Sequence, residues 1–141
     1  MNNVMGSRDL LDSQSIQVAR YILGLSWMYH GLFPKLLVIA PLEQAMTSSI
    51  GLNEELSYLV TKTAGVLELM MGIAIIVFYK NKNLILLNIF ALVALLIFAA
   101  VQMPSILIEA FNPVTTNVAL IGLSYILLLA ASKSAYNGSA E

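Results

Sequence analysis

The sequence predicts an all-α membrane protein: a transmembrane four-helix bundle with antiparallel hairpins and both termini in the cytoplasm. Three observations lead to this fold class. Apolar residues make up 59% of the 141 residues and charged residues only 11%, whereas a soluble domain carries about 25% charged residues. Four stretches are apolar and long enough to cross a bilayer, which takes about 20 residues. The polar segments between and around them are too short to form a separate soluble domain.

The composition also excludes several classes of function. With 7 basic residues, 8 acidic residues and a net charge of −1, the chain has no basic patch for nucleic acid, and we expect no nucleic-acid partner. It contains no cysteine, which excludes disulfides, thiol redox chemistry and thiolate metal sites. The single histidine and the scattered carboxylates lack the spacing of a known metal motif, so we expect no metal site. No glycine-rich phosphate loop is present.

The predicted domain organisation has three parts. Residues 1–15 form a polar N-terminal tail, 16–131 the four-helix membrane domain and 132–141 a polar C-terminal tail. Within the membrane domain, the spans are expected at about 16–33, 58–79, 84–103 and 114–131.

The first span ends at a pair of prolines. Pro34 and Pro41 bracket an apolar piece that is too short to cross a bilayer. Proline lacks a backbone N–H and disrupts a helix. Residues 34–50 are therefore expected to be a kinked or interfacial extension of the first helix.

Turn and capping residues separate the other spans. Asn53 is expected to cap the second helix, and Lys80–Asn83 is expected to be a hairpin turn. Pro104 closes the third span, and Pro113 suits the first turn of the fourth helix.

The distribution of basic residues predicts the orientation, because cytoplasmic connections are enriched in Lys and Arg. The side that holds both termini has five basic residues and the other side has two. The five are Arg8, Arg20, Lys80, Lys82 and Lys133, and the two are Lys35 and Lys62.

Glu68 is the most informative polar residue, because it lies in the middle of the second span. An ionisable group at membrane depth is costly, so it must be protonated, hydrogen-bonded or paired, and it is a functional candidate by default. Thr61, Gly65, Glu68 and Gly72 follow the spacing i, i+4, i+7, i+11, which places them on one helix face. Small residues on that face let another helix approach closely. Glu68 is therefore expected to face the interior of the bundle.

The first span carries a matching stripe. Gly24, Trp27 and Gly31 repeat the spacing of Gly65, Glu68 and Gly72. The glycine pairs Gly24/Gly31 and Gly65/Gly72 predict that the first and second helices pack directly against each other.

The remaining polar candidates fall in the outer half of the predicted bundle. This asymmetry predicts a polar pocket that is open toward the non-cytoplasmic side, with Glu68 at its floor. The other candidate residues for the pocket are His30, Lys35, Trp27, Glu43, Lys62, Gln102, Asn112 and Asn117.

Each candidate also has a structural interpretation. Glu68 could be a carboxylic acid that holds helices together, and His30 could donate to a carbonyl at the kink. Lys35 and Lys62 could extend to the lipid headgroups. Trp27 could serve packing alone, and Gln102 and Asn117 could cross-link helices.

Three segments together resemble a DoxX-like membrane family. The first is Trp-Met-Tyr-His-Gly-Leu-Phe-Pro-Lys at 27–35, followed by Pro-Leu-Glu at 41–43. The second is Gly-Val-Leu-Glu-Leu-Met-Met-Gly at 65–72, and the third is Asn-Pro-Val-Thr-Thr-Asn at 112–117. The resemblance covers residues 16 to about 131.

The resemblance implies a four-helix bundle in the bacterial inner membrane and an association with quinone-linked redox systems. It places the motif positions at Trp27, His30, Gly31, Pro34, Lys35, Glu43, Glu68, Gly72, Asn112, Pro113 and Asn117. The biochemical activity stays undefined and the cofactor unknown: a quinone is the candidate ligand, and the candidate partners are a membrane redox subunit and a second copy of the chain.

Three functions compete at this point. The first is an accessory subunit of a quinone-linked redox system, with a lipid-soluble ligand in the polar pocket. The second is a non-enzymatic membrane scaffold or assembly subunit. The third is a small proton-coupled transporter, although the sequence has no evident inverted repeat. Autonomous catalysis is not expected in the first two.

Overall fold

The computed structural model describes the backbone of residues 2–138 and the side chains of residues 12–132. Over this range the chain is all-α and contains no strand, which confirms the prediction of an all-α helical bundle. The five α-helices are α1 (Asn2–Gly31), α2 (Pro41–Ser48), α3 (Glu54–Phe78), α4 (Lys82–Gln102) and α5 (Pro113–Gly138). A π-helical turn (Leu32–Leu37) follows α1, and a 3-10 turn (Pro104–Ile108) follows α4.

Three of the helices, α3, α4 and α5, are long and apolar enough to cross a membrane. A fourth crossing exists if the segment Asp12–Leu37 is taken together with α2, which is bent away from it by 85°. The expected kinked extension of the first helix is therefore a π-helical turn followed by a short helix that lies across the bundle.

The first and last helices, α1 and α5, are longer than the apolar spans predicted for them. α1 begins at Asn2 instead of residue 16, and α5 continues to Gly138 instead of 131. Hydropathy locates the apolar stretch, but backbone hydrogen bonding continues a helix until a strong breaker such as proline intervenes. Residues 1 and 139–141 of the predicted tails lie outside the described part of the chain.

Asparagine side chains cap the next two helices. Asn53 Oδ1 accepts the N–H of Leu56 at 2.9 Å, as predicted. Asn81 Oδ1 accepts the N–H of Asn83 at 3.0 Å, so α4 begins at Lys82 and the turn from α3 comprises only residues 79–81. Each cap satisfies an N-terminal backbone donor that the helix itself leaves free.

α1 and α3 pack antiparallel at very close range, and the predicted glycine pairs lie at this crossing. A Cβ atom on Gly31 would lie 2.5 Å from the carbonyl oxygen of Gly65, and one on Gly72 would lie 2.5 Å from that of Gly24. Without Cβ atoms, the two backbones approach closely enough to pack directly.

The other helices complete the bundle around this pair. α1 also packs against α5, and α5 packs against α4, whereas α3 and α4 contact each other only sparsely. We call the end of the bundle that holds residues 79–81 the turn end, and the opposite end the α2 end. The turn end is filled by buried apolar side chains, among them Ala19, Leu23, Ile75, Ile85 and Leu127.

Candidate functional site

A cavity of about 530 Å³ occupies the α2 end of the bundle. This volume lies within the range of about 300–1,000 Å³ that is typical of small-molecule sites. Side chains from α1, α2, α3, α4 and α5 and from the two short turns line it, and most of the lining is apolar. The polar lining residues include His30, Lys35, Glu43, Thr61, Glu68, Asn112 and Asn117.

The central feature of the cavity is one ammonium group held between two carboxylates. Lys35 Nζ lies 2.9 Å from Glu68 Oε1, 3.0 Å from Glu68 Oε2 and 3.1 Å from Glu43 Oε1. Lys35 and Glu68 are only 8% and 9% exposed. We call these three residues the Lys35 cluster. Because charges at membrane depth are costly unless they are paired, this contact explains how Glu68 is accommodated in the middle of α3.

The π-helical turn places Lys35 in the cluster. Pro34 has no backbone N–H and cannot continue the α-helical hydrogen-bond pattern. The chain instead closes wider turns, in which Val38 N donates to Phe33 O at 3.2 Å. π-turns inside helices are frequent at functional sites. Lys35 therefore points into the cavity and does not reach for the headgroups.

The short helix α2 brings Glu43 over the cavity. Pro41 occupies its first turn, where the missing N–H costs nothing. The hydroxyls of Thr47 and Ser57 form a hydrogen bond that fastens α2 to the start of α3. α2 is thus fixed across the α2 end, with Glu43 in its first turn within reach of Lys35.

Trp27 lies at the inner wall of the cavity and begins a buried hydrogen-bond network. Its indole Nε1 donates to Asn88 Oδ1 at 2.6 Å, and Asn88 Nδ2 donates to Ser124 Oγ at 2.7 Å. Ser124 Oγ donates in turn to Leu120 O at 2.7 Å. The network links α1, α4 and α5 and separates the cavity from the apolar turn end.

Seven of the nine candidate residues line the cavity: Trp27, His30, Lys35, Glu43, Glu68, Asn112 and Asn117. The other two, Lys62 and Gln102, are not part of the lining. Lys62 Nζ donates to the carbonyl oxygen of Leu36 at 2.7 Å and so supports the π-helical turn from outside. Gln102 Oε1 lies 3.5 Å from Ser49 Oγ, at the end of α2.

The two asparagines each combine a structural contact with a place in the lining. Asn112 Oδ1 accepts the N–H of Thr115 at 3.0 Å and caps α5, while its Nδ2 donates to Glu109 O at 2.9 Å. Asn117 Nδ2 approaches Leu92 O at 3.5 Å, which connects α5 to α4. Each amide nitrogen therefore already donates one hydrogen bond within the protein.

Sequence reasoning missed the network below the cavity. Asn88 is completely buried and so is Ser124, yet the two are 36 residues apart in the chain. The available signal was Asn88 itself, because an amide in the middle of an apolar span must find partners inside the protein. Its partners could not be predicted from spacing within one helix.

The chemistry of the cavity follows from its charges. The Lys35 cluster contains one ammonium and two carboxylates, and the ring of His30 lies beside it in the lining. This arrangement can accept hydrogen bonds and hold protons. Among the residues whose side chains are described, no group of three His, Asp or Glu is arranged to hold a metal ion.

Comparison with known proteins adds one result. No curated protein and no solved structure is similar to the chain. The model of the DoxX-like family matches residues 24–125. This range includes the Lys35 cluster, the glycine pairs at the α1–α3 crossing and all three segments that carry the resemblance. Because this match extends over more than half of the chain, the chain belongs to the DoxX-like family.

Proposed function

We propose that this chain is a ligand-binding membrane subunit that holds a lipid-soluble molecule of the quinone class in its cavity. It would act as an accessory subunit of a quinone-linked redox system in the bacterial inner membrane, with the cavity on the non-cytoplasmic side. The observation that carries the proposal is the Lys35 cluster, which faces a cavity of about 530 Å³ at membrane depth.

The burial of the cluster argues for a function beyond packing. A buried ion pair is often no more stabilising than apolar residues of similar volume, because desolvation offsets the attraction. A helix scaffold therefore has no need of three charges at this position, nor of an open space beside them. A binding site needs both, since ligand sites combine an apolar wall with a few convergent polar groups.

The lining fits a ring-bearing lipid in two ways. The indole of Trp27 and apolar side chains such as Leu92 and Leu120 supply a surface for a ring or chain. The Lys35 cluster and His30 supply polar groups in the same lining. The redox context is what the resemblance to the DoxX-like family implies.

The experiment is mass spectrometry of gently purified protein, both native and after solvent extraction. Wild type is compared with Glu68→Gln, which keeps the size of the side chain and removes its charge. Glu55→Gln is the matched control, because Glu55 is an exposed carboxylate on the same helix outside the lining. We expect a stoichiometric quinone in wild type and in Glu55→Gln, and its loss in folded Glu68→Gln.

Two results would count against the proposal. An empty cavity in all three proteins, together with a retained partner protein, would favour the scaffold function. Retention of the same quinone in Glu68→Gln would place the binding site away from the Lys35 cluster.

A further inference from the structure

We infer that the cavity fills from the bilayer, through the gap between α3 and α4, with an amphiphile whose head group donates hydrogen bonds to Glu68 and Thr61. The inference rests on the proposed ligand-binding function and specifies the route and the ligand chemistry. Within the quinone class it selects the reduced form, the quinol, whose head group carries hydroxyls, over the oxidised form, whose head group carries only carbonyl or ether oxygens.

The route follows from the way α3 and α4 diverge. Only residues 79–81 connect the two helices, so they must be adjacent at the turn end. Over the rest of their length they contact each other far less than α1 contacts α3 or α4 contacts α5. The two helices therefore separate toward the α2 end, at the level of the cavity.

Side chains on both edges of this gap belong to the lining and are also exposed. Val60 on α3 is 43% exposed and Leu95 on α4 is 39% exposed, and both line the cavity. The small side chain of Ala64 lies one turn further along α3 and is part of the same wall. An opening edged by apolar side chains in a membrane-spanning region connects the cavity to lipid.

The preferred head group follows from the donors and acceptors that remain free. The three N–H groups of the Lys35 ammonium have three carboxylate oxygens within 3.1 Å, so the ammonium has little to offer a ligand. A carboxylate can accept about four hydrogen bonds, so Glu68 keeps free acceptor capacity. The cluster therefore accepts hydrogen bonds more readily than it donates them.

Thr61 adds an independent indication of a ligand. Its side chain is only 2% exposed and lines the cavity, yet its Oγ1 has no hydrogen-bond partner in the protein. A buried hydroxyl without a partner is costly. Thr61 and Glu68 are seven residues apart on one face of α3, about 10 Å along the helix axis, so a head group needs two hydroxyls to donate to both.

Trp27 provides the measurement, because it is the only tryptophan in the chain and it lines the cavity. It is 7% exposed, which limits its contact with bulk lipid. The chain, freed of bound lipid and reconstituted in vesicles, is titrated with a brominated long-chain diol (the alcohol), whose bromine quenches indole fluorescence. The dimethyl ether of the same chain serves as the second probe, since it differs only in lacking the two O–H donors.

We expect saturable quenching by the alcohol and about 25-fold weaker binding of the ether, which corresponds to about fivefold for each of the two hydrogen bonds lost. Thr61→Val should reduce this preference for the alcohol. Thr63→Val is its control, because Thr63 is an exposed threonine on the same helix outside the lining.

The route is tested at Ala64. Ala64→Phe should narrow the gap between α3 and α4 and slow the quenching at least tenfold. Val66→Phe, at an exposed position outside the lining, should not slow it. Circular dichroism verifies that each variant is folded.

The outcomes separate this inference from the proposed function. Equal quenching by alcohol and ether, or equal rates in Ala64→Phe and Val66→Phe, would overturn the inference even if a quinone co-purifies with the protein. Non-saturable quenching in every variant, with no co-purified ligand, would overturn both. Saturable quenching with the expected pattern would support the route and the head group together.

Discussion

Lys35 determines the chemistry of the cavity because its ammonium contacts carboxylates from two different elements. Glu68 comes from the middle of α3 and Glu43 from the first turn of α2, and both lie within 3.1 Å of the same ammonium. With both carboxylates ionised the cluster retains one negative charge. Removing the cation would leave the buried carboxylate of Glu68 and the half-buried carboxylate of Glu43 without their shared counter-ion.

The first prediction follows for Lys35→Met. We expect a loss of about 3–5 kcal/mol in the free energy of unfolding, the cost of removing one partner from a buried ion pair. Denaturant titration in detergent micelles, followed by circular dichroism, measures it. Lys62→Met is the control, because Lys62 donates to the carbonyl oxygen of Leu36 and lies over the ring of Tyr58, so its removal leaves no carboxylate of the Lys35 cluster without its cation.

The double variant Lys35→Met/Glu68→Gln should recover part of this stability, since it removes one of the unpaired charges. Equal losses in Lys35→Met and Lys62→Met would contradict the assignment of Lys35 as the buried counter-ion.

A second prediction concerns the network below the cavity. Trp27→Phe keeps an aromatic ring but leaves Asn88 Oδ1 without its donor, so we expect a loss of about 1–3 kcal/mol. The same denaturation experiment measures it. Trp27→Phe/Asn88→Leu should lose less than the single variants together, because it removes both polar partners; strict additivity would argue against this hydrogen bond.

At the residue scale, the sequence predicted which side chains share a face of one helix, but it did not predict which side chains from different helices form contacts. Helical spacing alone predicted that Glu68 shares a face with Thr61, Gly65 and Gly72. It could not predict which cation reaches Glu68. Lys35, Lys62 and His30 were all available, and the choice depends on the π-helical turn, which changes the direction of the side chains that follow it.

The α1–α3 crossing is the dominant feature at the scale of the helices. It was predicted from two glycine pairs, and its closeness is a direct consequence of backbone atoms that meet without intervening side chains. α2 was less predictable: Pro34 and Pro41 indicated a break, but proline spacing does not determine the direction in which the chain continues.

The third prediction compares two glycines. Gly72→Ala places a Cβ 2.5 Å from the carbonyl oxygen of Gly24, so the helices must move apart, and we expect a loss of about 1–3 kcal/mol. Gly122→Ala on α5 meets no atom within 4 Å. It should be neutral or stabilise the helix by up to about 1 kcal/mol. Thermal unfolding in one detergent ranks the two variants, and equal stabilities would contradict the direct contact at the crossing.

At the scale of the whole molecule, the bundle has two different ends. The turn end is filled by apolar side chains and the Trp27 network, while the α2 end contains the cavity and its charges. The sequence anticipated this asymmetry, because its polar residues fall on one side of the predicted spans. It could not anticipate the gap between α3 and α4, since two helices joined by a short turn are usually expected to pack along their full length.

The fourth prediction concerns orientation. The connection at 79–81 contains Lys80 and is followed by Lys82, whereas the connection at 104–112 has no basic residue, so the turn end should be cytoplasmic. The chain has no native cysteine, and single cysteines can therefore be introduced at the exposed positions Asn81 and Ser105.

In intact bacteria that express the chain, an impermeant maleimide should label Ser105→Cys directly and Asn81→Cys only after permeabilisation. The opposite labelling pattern would place the cavity on the cytoplasmic side and would overturn the proposed sidedness.

The π-helical turn at Leu32–Leu37 has a consequence for how this chain can change in evolution. Such a turn is equivalent to one residue inserted into an α-helix. Each residue of an α-helix rotates the chain by about 100°. Deleting one residue between Gly31 and Lys35 would therefore rotate the lysine side chain away from Glu68. The length of this segment and the identity of residue 35 can therefore vary only together. Relatives that are one residue shorter here should have lost the lysine and the buried glutamate as a pair.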